Sequence, residues 1–287
     1  MSVSAGAKVQ RRTSGLSDKV RKRIEITILS LPALIMFLGF VILPVFMAGY
    51  YGFFKWKGYG KPTVNGQFIG FENYKVILTD PNFQQALGHT LFVVVASLVI
   101  QGPLAILFAL LLNQKFKGRA LIRTLIFVPY VVSEVIVGTG WSLILQTTGA
   151  LNALLKKIGL GGADWISDPK IAIWTLMFII SWKYIGFAVI LMIAGMQSIP
   201  EDLYEAAKVD GAGFWRQQWS ITLPLLGPTI RIWAFMSIIG SLQLFDLVYI
   251  IWGQYVSSTA GTSTMATYMV REGRLANNYG YGSAVAW

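Results

Sequence analysis

The sequence contains no cysteine, which excludes disulfide scaffolds, thiolate nucleophiles, zinc knuckles and iron–sulfur ligation and leaves no redox compartment to be read. It contains one histidine, His89, so a two-histidine metal site is excluded and an ordinary serine–histidine pair has a single position open to it. These residues do not describe an enzyme. Charge is scarce too: charged residues make up 13% of the chain, against roughly 25% in soluble domains. Apolar residues take their place, at 55% of the 287 residues with a mean hydropathy of +0.59. This is the composition of a membrane protein.

The net charge of +11 would suit nucleic acid in a soluble chain, but seven of the 24 basic residues fall in the first 23 positions. They are Lys8, Arg11, Arg12, Lys19, Arg21, Lys22 and Arg23. A basic tail directly before a long apolar run reads as a cytoplasmic anchor against anionic lipid, because lysine and arginine resist translocation. Residues 1–25 are therefore expected to be a cytoplasmic tail, and nucleic acid is not an expected partner.

A spanning helix needs about 20 mostly apolar residues. Runs of that kind cover 26–54, 91–112, 125–146, 171–196 and 232–252, and a sixth begins at 279 and stops at Trp287. The first run is too long for a signal-peptide core and lacks a small-residue cleavage site. The natural chain is expected to continue past Trp287 and complete the sixth helix. With the tail inside, 14 basic residues fall on the cytoplasmic side and nine outside. That bias rests on the tail and on the basic loop between the second and third runs.

Three ionisable residues lie within the runs: Glu134, Lys183 and Asp246. At a helix centre each costs about 2.5 to 3.5 kcal/mol unless paired or wetted, so they are expected to face the bundle interior or a water-filled path. One lysine and two carboxylates can form an interhelical salt bridge, or they can line a path. Lys183 lies among Trp182, Tyr184 and Phe187, a mixture of aromatic faces and a donor that suits a polyhydroxylated or anionic ligand. In the fifth run Ser241 and Leu244 are three apart and share a helical face. Ser241 and Gln243 fit interhelical glue as well as a path.

The stretch 198–228 carries the most information. Ser198 and Glu201 have the spacing of a capping box, with Pro200 in the first turn, and Gly211 supplies a left-handed stop. Between them a helix of about ten residues places Leu203, Ala206 and Ala207 on one low face suited to docking. A second amphipathic piece with Phe214, Trp215 and Trp219 leads back to the bilayer at Leu223 and Pro224.

Glu205, Ala206 and Ala207, three residues, Gly211, nine residues, Ile221, one residue, then Leu223 and Pro224: this pattern resembles the EAA signature of the membrane permeases of bacterial binding-protein-dependent ABC importers. IGFENY at 69–74, RTLIFVPYVVSEVIVGTGW at 123–141, AGMQSIP at 194–200 and SLQLFDLVY at 241–249 look like the carbohydrate-uptake branch, in particular its maltose-permease-like first membrane subunit. The resemblance covers roughly 26–287. The chain departs from it in carrying WGQY at 252–255, where a TxGGP turn is common.

The resemblance implies an all-α integral membrane fold, a six-helix bundle of the type I ABC importer kind, in the bacterial inner membrane. It also implies a pseudo-symmetric heterodimer with a second permease subunit, an extracytoplasmic sugar-binding protein, and a separate dimeric ATPase seated on the loop at 205–224. No phosphate-binding GxxxxGK[ST] loop occurs in the sequence, so ATP and Mg are expected in that partner and no cofactor on this chain. Ligand-facing positions are expected at Lys183, Tyr184, Phe187, Ser241 and Leu244. Two other functions are open to the sequence. One is import of a phosphorylated polyol of the glycerol-phosphate kind, for which Lys183 is the hint. The other is a self-sufficient channel or ion-coupled carrier that uses Glu134, Lys183 and Asp246 as a relay.

Overall fold

Hydrocarbon offers no partner to a backbone amide, so a chain this apolar satisfies its amides within helices. The computed structural model of the protein describes residues 18–114 and 116–287 and is built almost entirely of helices. In chain order they include α1 (Lys19–Tyr51), α2 (Glu72–Thr79), α3 (Pro81–Leu112), α4 (Arg119–Val131), α5 (Glu134–Ile144), α6 (Ala150–Lys157) and α7 (Ala172–Gln197). There follow α8 (Glu201–Val209), α9 (Gly227–Leu242), α10 (Asp246–Thr259, kinked at Gly253, φ +65°), α11 (Met265–Val270) and α12 (Tyr279–Ala286). One short antiparallel pair, Phe54–Lys55 with Gln67–Phe68, closes the turn after α1.

Among the described residues four helical stretches are long and apolar enough to cross a bilayer, α1, α3, α7 and Gly227–Gly253, the last taken across the break between α9 and α10, or five if α4 and α5 count as one bent span. The eight residues of α12 are too few to cross, so six spans do not emerge from the described residues. The part of the basic tail up to residue 17, with Lys8, Arg11 and Arg12, and Lys115 of the next basic loop lie outside the described residues. Lys19, Arg21, Lys22 and Arg23 stand on the first turns of α1.

The uninterrupted apolar runs conceal two breaks. The third run is bent by 95° between α4 and α5, where Ser133 accepts from the Ile136 N–H as a helix cap. The fifth stops at Leu242 and restarts at Asp246, so Ser241 and Leu244 do not share a continuous helical face. Prolines leave a different mark. Wide π turns at Leu38–Ile42, Ser97–Gln101 and Gln218–Thr222 each lie directly before a Leu-Pro or Gly-Pro pair, at Pro44, Pro103 and Pro224. A proline has no N–H and its ring crowds the carbonyl four residues back, and a locally wider turn relieves both problems.

Helix α7 is the axis of the bundle. It buries residues on every side, as a helix that is apolar all round should. Around its N-terminal half packs a cluster with Val93, Val137, Leu176, Leu247 and Trp252, and around its C-terminal half one with Ala105, Met192, Leu226 and Trp233. Helix α1 buries nothing in its most apolar stretch.

Beside the N-terminal end of α7, residues 260–264, which lie between the fifth and sixth apolar runs, fold back into the protein and are buried. Their polar groups are satisfied there: the Thr264 hydroxyl donates to the Leu244 carbonyl at 2.7 Å, the Met265 N–H to Thr90 Oγ1 at 3.0 Å, and His89 Nδ1 lies 3.1 Å from the Ser263 carbonyl. Beside them Asp80 caps α3. Burial alone would raise the Asp80 carboxyl, but the Tyr268 hydroxyl, the Asn82 N–H, the Tyr281 hydroxyl and the Phe83 N–H together hold it below the usual carboxylate range. Tyr268 is pushed up, first by burial and then by its bond to Asp80.

Asn152 organises the loop after α5. It is 2% exposed, and it donates to the carbonyls of Gln146, Thr147 and Ala163 while accepting from the Ala163 N–H and the Trp165 ring N–H. Asn152→Ala is expected to cost roughly 3 kcal/mol, because several buried groups lose their partner at once. A thermal melt of the purified protein reads the loss, and an unchanged midpoint would contradict it.

Candidate functional site

Between α3, α4, α7 and α9 lies a cavity of about 200 Å3. Helix α3 contributes Val93, Ser97 and Gln101, the last two from the π turn before Pro103. Helix α7 contributes Ile180, Tyr184 and Phe187, and α9 contributes Trp233, Met236, Ser237, Gly240 and Ser241, with Leu244 from the break beyond it. Tyr130, at the end of α4, stacks on Phe187 with ring centres 5.0 Å apart and planes at 21°. It meets Tyr184 edge-on at 6.2 Å. Gln101 is anchored by donating to Ser181 Oγ at 3.2 Å. The lining is hydroxyl, amide, aromatic and aliphatic, with no charged side chain.

Of the five positions expected to face a ligand, Tyr184, Phe187, Ser241 and Leu244 line this cavity. Lys183 does not. It is 3% exposed, and its ammonium donates to the Val132 carbonyl at 2.7 Å and reaches the Pro129 carbonyl at 3.5 Å. The carbonyls freed by the bend after α4 draw it away from the cavity.

Of the two arrangements open to Lys183, Glu134 and Asp246, the salt bridge is absent among the described residues, whose ion pairs are Arg21–Glu25 and Arg271–Glu272. Glu134 and Asp246 each stand in the first turn of a helix that starts inside the bundle. There the positive helix end favours a carboxylate, so neither bears the cost of a charge at mid-helix. Glu134 accepts a short hydrogen bond from the Tyr184 hydroxyl. Ser97, Gln101, Tyr130, Trp233, Met236, Ser237 and Gly240 also line the cavity and were not singled out from the sequence. Two signals pointed to some of them: polar Ser97 and Gln101 four apart in an apolar run just before Pro103, and Tyr130 next to Pro129.

At the other end of α7 is the loop with the seven signature residues. Helix α8 holds Glu205, Ala206 and Ala207 and buries none of its residues. It ends as a Schellman motif: Gly211 takes φ +75°, its N–H donates to the Lys208 carbonyl at 3.0 Å, and the Ala212 N–H donates to the Ala207 carbonyl at 2.8 Å. The helix starts differently from the expected capping box. Ser198 Oγ turns back to the Gly195 carbonyl at 2.7 Å, and Pro200 occupies the cap position without a side-chain bond. Tyr204 meets Thr222 Oγ1 at 2.9 Å, and Thr222 donates to Gln218 at 2.7 Å, so α8 is tied to the π turn that contains Ile221 and precedes Leu223 and Pro224. Between α8 and the ends of α3 and α7 runs a groove of about 710 Å3 whose wall includes Glu205, Tyr204 and Lys208.

Broken spans around an uncharged central cavity, joined to an exposed helical loop, define a membrane permease. The binding-protein-dependent transport system inner membrane component family matches residues 101–286, and the chain belongs to that family. It is similar to the trehalose/maltose transport system permease protein MalF of Thermococcus litoralis, at 31% identity over 89% of this chain and 85% of that protein. Another relative is the arabinooligosaccharides transport system permease protein AraP of Bacillus subtilis, at 31% identity over 76% of this chain and 70% of that protein. Among solved structures, a chain of a bacterial alginate ABC transporter in complex with an alginate pentasaccharide-bound periplasmic protein superposes with a TM-score of 0.80. That chain is 27% identical, and the match covers 94% of this chain and 90% of that one.

Proposed function

We propose that the chain is a permease subunit of an ATP-driven importer of neutral mono- or oligosaccharides in the bacterial inner membrane, with its N-terminus cytoplasmic. It pairs with a second permease, receives sugar from an extracytoplasmic binding protein, and takes its drive from a separate ATPase dimer, which binds ATP and Mg. The observation that carries this reading is the exposed α8 with its Schellman stop at Gly211, tied through Tyr204 and Thr222 to the segment that leads into α9. A body docked on α8 can thereby move the helix that lines the cavity.

The sugar follows from the lining and from the names of the relatives. Aromatic faces at Tyr130, Tyr184 and Phe187 suit the apolar side of a pyranose ring, and Ser237, Ser241 and Gln101 supply hydrogen-bonding groups for its hydroxyls. A phosphorylated polyol is a poorer fit, because the lining has no cation and Lys183 is engaged with carbonyls. An ion relay is poorer still, with Lys183, Glu134 and Asp246 each held at a separate helix end.

Proteoliposomes test the reading. Sugar uptake should require the ATPase, the binding protein and ATP together, and ATP-independent uptake by this chain alone would overturn it. Within that assay Phe187→Ala is expected to lower uptake roughly two- to tenfold, the value of one aromatic contact.

A further inference from the structure

The bend between α4 and α5 leaves polar backbone inside an apolar bundle, and two consecutive residues of α7 meet its two sides. A helix that stops leaves its last carbonyls without N–H partners and slightly negative. At the end of α4 the Val132 N–H closes on the Val128 carbonyl at 3.3 Å, whereas the Pro129 and Val132 carbonyls face the Lys183 ammonium. Across the bend, α5 opens with Glu134, whose carboxylate accepts the Tyr184 hydroxyl. A buried ammonium that no carboxylate touches is tolerated only where its protons are taken up. Here the carbonyls of α4 take them.

We propose that Lys183 is a positioning residue: its ammonium holds the C-terminal end of α4 at the bend and so fixes Tyr130 on the cavity wall. The inference rests on the reading of this cavity as the sugar path. Tyr130 lies between Pro129 and Val132, whose carbonyls Lys183 holds, and its ring is stacked on Phe187. When the ammonium is lost, two carbonyls in the bundle must find other partners, and the end of α4 must turn to find them. The turn takes Tyr130 off Phe187. Methionine at 183 matches the length of lysine and donates nothing, whereas arginine keeps the donors and the charge.

The absence of native cysteine makes the test direct. Thr124 in α4 and Thr139 in α5 are both exposed, so Thr124→Cys and Thr139→Cys carry spin labels on the two sides of the bend. Distances are measured in the full chain in lipid nanodiscs. The parent should give one narrow distance. Lys183→Met should replace it with a broad or two-peaked distribution, and Lys183→Arg should restore the narrow one. A narrow distance in Lys183→Met, or the same broadening in Lys183→Arg, overturns the proposal. Should Lys183→Met fail to fold, Lys183→Leu, which likewise donates nothing, takes its place with the same two criteria. The measurement needs neither sugar nor ATPase. Absence of uptake by the assembled transporter would therefore overturn the transport reading, and an unmoved bend would overturn this one.

Discussion

Replacing Gly211 with valine is expected to abolish sugar uptake while leaving the membrane bundle folded. The prediction rests on the separation of two effects at this residue. A Cβ at Gly211 would meet nothing within 4 Å, so no clash with the body of the protein follows. The backbone, however, sits at φ +75°, a region that costs a side-chain-bearing residue roughly 1–3 kcal/mol and a β-branched one the most. The cheapest escape is to unwind the end of α8, which gives up the bonds from Gly211 to Lys208 and from Ala212 to Ala207 and turns Glu205, Ala206 and Ala207 away from whatever docks on them. A graded series should follow. Gly211→Asn, which tolerates the left-handed region, should keep most uptake, Gly211→Ala should lose part of it, and Gly211→Val should lose it all. ATP hydrolysis without uptake, or loss of the ATPase on purification, is the expected companion. Equal uptake in all three variants would remove the role assigned to the loop.

Gly186→Ala is expected to do the opposite, damaging the bundle directly. The added methyl would stand 2.1 Å from the Ile126 carbonyl oxygen and 2.9 Å from the Phe127 Cα, so α7 and α4 cross with no room for a side chain between them. Overpacking costs about 1–3 kcal/mol where neighbours can shift. Here the obstacle is backbone, so the cost should lie near the top of that range, about 3 kcal/mol. Because Tyr184 and Phe187 flank Gly186 while Tyr130 follows Ile126 by one helical turn, separating the helices also opens the aromatic wall. A lower melting temperature and a loss of uptake should appear together. Truncating the neighbour, as in Gly186→Ala with Ile126→Ala, should rescue neither, since the clash is with the carbonyl. Rescue by that double variant would show that side-chain crowding, not backbone approach, sets the crossing.

How much of this could be read from the residues varies with the kind of signal. The loop with the EAA pattern was legible because its spacing encodes geometry: Gly211 stands where a helix must stop, whatever surrounds it. Helix α7 was legible as an unbroken apolar run, and Tyr184, Phe187, Ser241 and Leu244 were singled out on the segments that line the cavity. The breaks were harder to see, because a break within apolar residues leaves hydropathy unchanged. Ser133 followed by Glu134 was a helix-start signal inside the third run, and Pro129 before it a stop. Together they announced the bend that a count of apolar residues hid. Lys183 was placed by its aromatic neighbours in sequence, whereas carbonyls that only the bend exposes decide where its ammonium goes. Residues 260–264, rich in threonine and serine, carry no signal of burial in the sequence, yet the Thr264 hydroxyl satisfies the buried Leu244 carbonyl.

The π turn at Ser97–Gln101 has a consequence for which lengths of this helix are compatible with the cavity. A turn of this kind holds one residue more than the ordinary repeat, and one residue is about 100° of rotation. Deleting a residue within 97–101, together with Pro103→Ala to remove the ring that demands the wider turn, would return α3 to a plain helix with both halves facing as they do now. Deleting a residue elsewhere in α3 would swing one half against the other and carry Val93 out of line with Ala105 and Ala109. The third helix thus has a single place where its length is negotiable, and that place lies on the wall of the cavity.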